Sequence, residues 1–483
     1  MFERLALKYA AGHPASIAMS WFEGEASFDQ LSHDVSRVAN ALFQLRDLLP
    51  SVVAIRCVHP YRHWVFILAL ARLGIPSASL PGYVDANFYR FVKILSPDII
   101  LLDEPVEGLE QQVLILNDAW FEHVCQTGAE CAETITVQPD DVVRFSVAGG
   151  TSQDARRIAL TSRYVETVVY HLLFQDVLSH THRPENLRVL PTLGAETSSG
   201  FLIILSALVA GTRLQMMTGS ELGLVFSQDI PTVAVVSPRH VEGILSQLPP
   251  GMSPLDNLFL TVAGGKLPKA LCASIRQKLT PNVQVVYGAD ECGVITIVST
   301  DVQSSDDEVG KPLPWVGLEI VDENHQRVSA GEVGRIRVSG TGVIGGYNLD
   351  PAATAAQFRD GWFYPGDTGF VDAHGTLHLR GRADDLISFG GDKFDLEKLD
   401  ARLLACSGVK DGAMFVVPDD QGLPTPWVAL VTEDDFNLEL LSKWMRHDFP
   451  NLPDAAAVWI DALPRTEDGQ PDRVALQKAV KPS

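Results

Sequence analysis

"FSVAGGTSQDARRIALT", Phe145 to Thr161, places two apolar, strand-like runs on either side of a loop of glycine, hydroxyls and charged side chains. Glycine lets consecutive backbone N–H groups converge and hydroxyls add donors, so such a loop can wrap a phosphate. It lacks GxxxxGK followed by Ser or Thr, and a strand rather than a helix follows, so it is not a Walker loop. Taken alone it reads equally well as an ordinary hairpin turn. Outward from it, helical spacing and compact apolar strands alternate. Val35, Val38, Ala39 and Leu42 mark a helix before the strand "SVVAIRCV", and helices at "HWVFILALARLG", "YVETVVYHLLF", "GFLIILSALVAG", "HVEGILSQL" and "LCASIRQKL" alternate with strands such as "DIILLDE", "VLILN", "LRVLPTL", "TVAVVSP", "LFLTVAGG" and "VQVVYG". Continuous apolar strands joined by helices predict sheets covered on both faces.

The texture changes after about Val309, where "VGLEIVDENHQRVSAGEVGRIRVSG" and "TGFVDAHGTLHLRGR" read as short strands with turns. A third texture follows Asp384, with helices at "DLEKLDARLLA" and "LELLSKWMRHDF" and strands at "KDGAMFVV", "PWVALVTE" and "AAVWIDAL". The expectation is an α/β protein: a large N-terminal domain, residues 1–383, of two α/β subdomains plus a small β-subdomain, then a small α+β C-terminal domain, residues 384–483.

With 483 residues, 46% of them apolar, the chain can bury a large core. Its 60 acidic and 38 basic residues leave a net charge of -22, which argues against non-specific binding to nucleic acid or an anionic membrane surface. Apolar stretches such as Gly200 to Gly211 fall short of the roughly 18 residues a membrane span needs. The start, "MFERLALKYAAGHPAS", has charge at its third residue and does not read as a signal peptide. Six cysteines without a CxxC pair suit reduced thiols, and "HTH" at His180 to His182 has no ligand partners at metal spacing. A cytoplasmic location is expected.

Two further segments carry chemistry. "VVYGADECG" is a strand delivering Asp290 and Glu291 into a loop, where carboxylates at the C-terminal end of an α/β strand meet ligands and magnesium, or simply form a solvated turn. In "FYPGDTG" and "LRGRADDLISFGG", Asp367 can accept hydrogen bonds from a sugar diol and Arg382 can donate to a phosphate or sugar oxygen.

Together and in order, these segments resemble the adenylate-forming superfamily of acyl- and aryl-CoA synthetases, peptide-synthetase adenylation domains and luciferases. "AGGTSQDARRIALT" is similar to TSGTTGxPKGVxLTH, "LTVAGGKLP" to the GGAPL segment, and "YGADE" to YGxTE. "GEVGRIRVSGTGVIGGYNLDP" is similar to GELxVxGPxVxxGYxxxP, "GWFYPGDTG" to GWxxTGD, and "GRADDLISFGGDKFDLEKLD" to GRxDDxIKxxGxxVxPxEIE. The tail "LPRTEDGQPDR", residues 463–473, is similar to LPRTxxGKxxR, so the resemblance covers nearly the whole chain.

The resemblance implies two half-reactions: a carboxylate attacks the α-phosphate of ATP to give an acyl-adenylate and pyrophosphate, and a thiol then displaces AMP. It implies that Gly149, Gly150, Thr151, Ser152 and Arg156 grip phosphates and that Glu291 holds magnesium. Asp367 would bind ribose, with Arg382 beside it and with Tyr287, Asp290 and Gly265 at the nucleotide. Gly194, Ala195, Gly264 and Gly288 would line the acyl pocket. Asp384 falls at the family's hinge, which makes the C-terminal domain mobile. The expected acceptor is CoA or the phosphopantetheine of a discrete acyl carrier protein. "GGTS" is closer to the form of aryl-acid-activating members, which favours an aromatic or other compact acid. Where amino-acid-activating members carry an Asp to meet an ammonium, "LPTLGAE" has Glu196 instead.

Four departures stand out. In the phosphate loop Arg156 stands for the family lysine and keeps its charge, with Ala155 for proline and Gln153 for glycine. Asp290 replaces a threonine beside anionic phosphates. Gly194 stands where many members have an aromatic residue or histidine, which would open the acyl pocket. Gln470 replaces the lysine that contacts both the carboxylate and the α-phosphate. A neutral amide donates hydrogen bonds but offsets no charge, and loss of one such contact costs about 3 kcal/mol. Either a cation such as Arg465, Arg473 or Lys393 substitutes, or the enzyme favours the thioester step, or the chain is a nucleotide-binding pseudoenzyme.

Overall fold

The computed structural model describes residues 2–45, 52–131, 135–148, 155–173, 184–216, 230–303, 305, 307–382, 386–389, 392–433, 436, 438–465 and 471–480. A six-stranded sheet runs in the order Gln112–Ile115, Ile99–Leu102, Val53–Arg56, Ser77–Ser79, Val142–Ala148, Arg156–Thr161. All neighbours are parallel except the last pair, an antiparallel hairpin that pairs Ala148 with Arg156. The four residues of Val53–Arg56 and of Ile99–Leu102 are all buried, as strands covered on both faces must be.

A second sheet has Arg213–Gln215, Arg188–Pro191, Thr232–Val236, Leu258–Val262 and Asn282–Ala289 in parallel, then Gly293–Ser299 antiparallel. Through Glu308–Pro312 and Leu377–Arg382 its hydrogen bonding continues into the short strands of the β-subdomain, giving fifteen strands among the described residues.

Helices fill the space between the sheets. Phe28–Gln44 starts where Ser27 accepts from the Gln30 N–H at 3.1 Å, and it buries Leu31, Val35, Val38 and Leu42 along one stripe. Pro60–Arg72 is buried almost throughout, and Trp64 stacks on Phe201 of the helix Ser198–Ala210 at 5.8 Å. No helix among the described residues is long and apolar enough to cross a membrane.

The C-terminal part has strands Val409–Pro418 and Pro424–Thr432, with Ala456–Trp459 parallel to the second. The helices Leu396–Leu404, Leu438–Asp448 and Arg473–Val480 cover this sheet and close two small cores of its own. It meets the rest of the molecule through the turn Asp419–Leu423: Leu423, 2% exposed, enters the core beneath helix Lys269–Lys278. The α/β character, the change of texture near Val309 and the α+β tail are as the sequence predicts. The short strands Ser77–Ser79 and Arg213–Gln215 and the helices Ala86–Leu95 and Asp118–Thr127 went unread.

Candidate active site

Asp290 and Glu291 sit in the turn joining Asn282–Ala289 to Gly293–Ser299. Glycine at 288 is required by the hairpin itself: a Cβ there would stand 2.3 Å from the Gly293 carbonyl oxygen, at an irregularity in the register. Asp290 accepts from the Ser199 hydroxyl at 2.9 Å, which ties the turn to the N-terminus of helix Ser198–Ala210. The Glu291 carbonyl accepts from the Ile344 N–H at 2.8 Å, and its carboxylate from the Tyr347 hydroxyl at 2.7 Å. The Gln357 side chain also reaches that hydroxyl. One hydroxyl proton serves Glu291, so the Gln357 amide is best oriented to donate. Burial, reinforced by Glu291, pushes the Tyr347 phenol up and keeps it a donor.

The same segment reaches the glycine-rich hairpin. The Asn348 N–H donates to the Arg157 carbonyl at 2.8 Å, and Asp350 Oδ2 lies 2.8 Å from Arg156 Nε. Asp350 also caps helix Pro351–Gln357 by accepting from the Ala353 N–H. Arg156, expected at phosphates, is thus held by a carboxylate. Gly149, Gly150, Thr151 and Ser152 lie outside the described residues, while their flanks form the hairpin.

Tyr287 donates to Asp367 Oδ2 at 2.7 Å. Gly264, with φ +78°, and Gly265 follow Leu258–Val262, whose neighbour in the sheet carries Tyr287. Tyr287, Gly288, Asp290, Glu291, Gly264 and Gly265 therefore gather at the C-terminal ends of parallel strands, where α/β sheets bind ligands. Arg382 pairs with Asp367 through the backbone; its side chain, Asp384 and Gln470 are outside the described residues.

At Gly194 a Cβ would stand 2.1 Å from the Glu196 carboxylate, so the glycine makes room for that side chain. Ala195 is buried, and its carbonyl accepts at 2.8 Å from Arg144, which is 0% exposed and also donates to Ser77 and Ser79.

A family model described as AMP-binding enzyme matches residues 7–348, well over half of the chain. The chain belongs to the AMP-binding enzyme family. Among its relatives, the indoleacetate–CoA ligase of Aromatoleum aromaticum is 24% identical over 496 residues, 96% of this chain and 95% of that one. Tyrocidine synthase 3 of Brevibacillus parabrevis is 28% identical over 500 residues, 99% of this chain and 8% of that much longer protein. The structure of the amide bond synthetase McbA from Marinactinospora thermotolerans covers 99% of both chains with a TM-score of 0.80 at 20% identity, a likeness of fold. ATP-dependent activation of an acid is the chemistry of this AMP-binding family, and the chain is an AMP-forming ligase. These relatives lend no support to a binding-only protein.

Sequence reading missed Tyr347, Asp350 and Ser199. The first two lie within "GYNLDP", a segment already matched to the AMP-binding family without a role being read for either. It also missed Tyr164, whose hydroxyl is buried without a hydrogen-bond partner among the described residues. Burial pushes that phenol up, and Cys292, Asp290 and Glu291 add to it, so it stays protonated beside the acidic turn. Of the cations suggested to replace the family lysine, Arg465 pairs with Asp411 at 2.8 Å, and Arg473 pairs with Asp400 and donates to the Met414 carbonyl. The Lys393 side chain lies outside the described residues.

Proposed function

We propose that the chain activates a small carboxylic acid, aromatic or otherwise compact, and passes the acyl group to a thiol of CoA or of a discrete carrier protein. The observation that carries this reading is the convergence of the Glu291 turn and the Arg156 hairpin on one segment, Ile344–Asp350, with Asp367 joined to the neighbouring Tyr287.

In the first step a carboxylate oxygen attacks the α-phosphorus of ATP, the bond to the β-phosphate oxygen breaks, and pyrophosphate leaves. Arg156 would neutralise charge on the phosphates once it turns from Asp350, and the hydroxyls of Thr151 and Ser152 would add donors. Asp367, oriented by Tyr287, would accept from the ribose hydroxyls. Magnesium usually binds through one or two carboxylates plus substrate phosphates, and Glu291, steadied by Tyr347, is a fitting ligand. Bound there, the ion would offset negative charge on the phosphates. In the second step the thiol sulfur attacks the acyl carbonyl, the bond to the AMP oxygen breaks, and the thiol proton is released. Asp384 would act as the hinge between residues 1–383 and 384–483. Gln470 would come to the reacting carboxylate as a neutral donor, so adenylation is the slower half.

The test is a panel of carboxylic acids incubated with ATP and magnesium, scored by mass spectrometry for acyl-adenylate and then for acyl-CoA or acyl-carrier product. Tight ATP binding with no ATP–pyrophosphate exchange on any acid would overturn the reading.

A further inference from the structure

Helix Ser162–Leu172 runs between the glycine-rich hairpin and the acidic turn, and it buries a polar group that the fold leaves unpaired. It follows directly from the strand Arg156–Thr161, and Thr161 caps it by accepting from the Tyr164 N–H at 3.2 Å. Tyr164, Val168 and His171 share one face, because helical neighbours recur at three and four residues. That face lies along the acidic turn. Val168 Cγ1 is 3.9 Å from where a Cβ on Gly293 would stand, and a Cβ on Gly342 would meet the Cys292 carbonyl oxygen at 3.1 Å and His171 Nδ1 at 3.9 Å. The Tyr164 ring belongs to the same core as Ile344 and Tyr347, the two residues that hold Glu291.

Tyr164 is 7% exposed, and its hydroxyl has no hydrogen-bond partner among the described residues. A buried donor left unpaired is costly, and phenylalanine would fill the same core without that cost, so the hydroxyl needs a reason. Burial, and then Cys292, Asp290 and Glu291, keep the phenol protonated, so its proton is there to give. Glu291 already takes the Tyr347 proton. Asp290 stands where the AMP-binding family carries a threonine; it accepts from Ser199 on Oδ1, and a carboxylate has room for more than one donor. We propose that Tyr164 is a positioning residue: when nucleotide and magnesium draw on the acidic turn, its hydroxyl donates to Asp290, holding that carboxylate clear of the phosphates and Glu291 toward the ion. This rests on the chain being an ATP-dependent acid-activating enzyme, and it accounts for a second carboxylate being tolerated beside the phosphates.

The experiment compares wild type, Tyr164→Phe, Asp290→Thr and the double variant. Calorimetry reads ATP binding as magnesium is varied, which needs no turnover; ATP–pyrophosphate exchange and thermal melting are measured beside it. Tyr164→Phe is expected to weaken ATP binding with magnesium, and kcat/KM for ATP, about tenfold, the scale of one hydrogen bond to a charged group. It should also raise the magnesium requirement, yet melt at or above the wild-type temperature, since an unpaired hydroxyl has gone. In the Asp290→Thr background the same change should have an effect of about twofold or less. Unchanged ATP and magnesium affinity in Tyr164→Phe overturns the inference and leaves the activity standing. So does a loss of equal size in both backgrounds, which puts the partner of the hydroxyl elsewhere, or a loss matched by a fall in melting temperature, which makes its role structural. A wild type that neither binds ATP with magnesium nor exchanges pyrophosphate on any acid overturns both.

Discussion

Arg156 and Asp350 hold each other across partly exposed surface, where an ion pair is worth under about 1 kcal/mol, so incoming phosphates can take the arginine over. Arg156→Ala should lower kcat/KM for ATP about a hundredfold in pyrophosphate exchange, on the scale of one lost charged contact in a dry site. Asp350→Asn keeps a side chain that can cap helix Pro351–Gln357 but removes a competing charge, so it should lower the KM for ATP by a factor of about 2 to 5. With Arg465 and Arg473 committed to carboxylates of their own, restoring charge through Gln470→Lys should raise exchange about a hundredfold. An unchanged rate would mean that adenylation is not limited at that position. His63 gives a pH signature of the fold. It is buried, with Nε2 at 2.6 Å from Ser79 Oγ and Nδ1 at 3.2 Å from the Cys57 carbonyl. Burial, and then the Arg144 charge, lower its pKa to about 4. Unfolded histidine titrates near 6.5, so between these values the unfolded chain binds the extra proton. His63 therefore opposes unfolding fully above pH 6.5, and about 3 kcal/mol is lost as pH falls toward 4. Urea unfolding at pH 7.5 and pH 4.5 should show a smaller pH difference in His63→Gln than in wild type.

At the scale of elements, the hairpin of Asn282–Ala289 and Gly293–Ser299 decides where the acidic pair stands. The sequence reading ends its first strand at Gly288, because glycine usually interrupts strands. In the fold the strand runs on to Ala289, since only a residue without Cβ allows the Gly293 carbonyl so close. Gly288→Ala should cost about 2 kcal/mol or more in a denaturant titration, and should reduce ATP turnover more than it shifts the melting temperature, because Glu291 would be displaced. The glycine-rich hairpin was legible at this level, since apolar runs flanking a loop specify two strands and the short connection makes them neighbours. Gly194 was legible only as a departure. Its reason, the Glu196 carboxylate folded over it, depends on a side-chain rotamer that no periodicity reveals.

For the whole molecule, the C-terminal part is attached to the second α/β sheet by Leu423, by Gly422 against Pro268, and by the contact of Ser274 with Gln421 at 3.4 Å. Placing a charge in that buried spot with Leu423→Asp should loosen the attachment without unfolding either part, since each has its own core. Limited proteolysis should then cut faster near residues 383–385 and release pieces close to 1–383 and 384–483. Cleavage that gives no stable fragments would count against that division. The β-subdomain continues the second sheet by hydrogen bonds, so it should unfold together with it and not as a separate transition.

Most of the order of helices and strands, the change of texture after Val309 and the family were determined by the sequence, because apolar periodicity, glycine placement and motif order are local properties of the chain. The partners of the site residues were decided only by the tertiary structure. Tyr347 meets Glu291 across 56 residues, Tyr287 meets Asp367 across 80, and Arg156 meets Asp350 across 194. Which carboxylate faces which cation or hydroxyl depends on how separate strand ends converge at the seam between two sheets, and that convergence has no signature in any one stretch of residues.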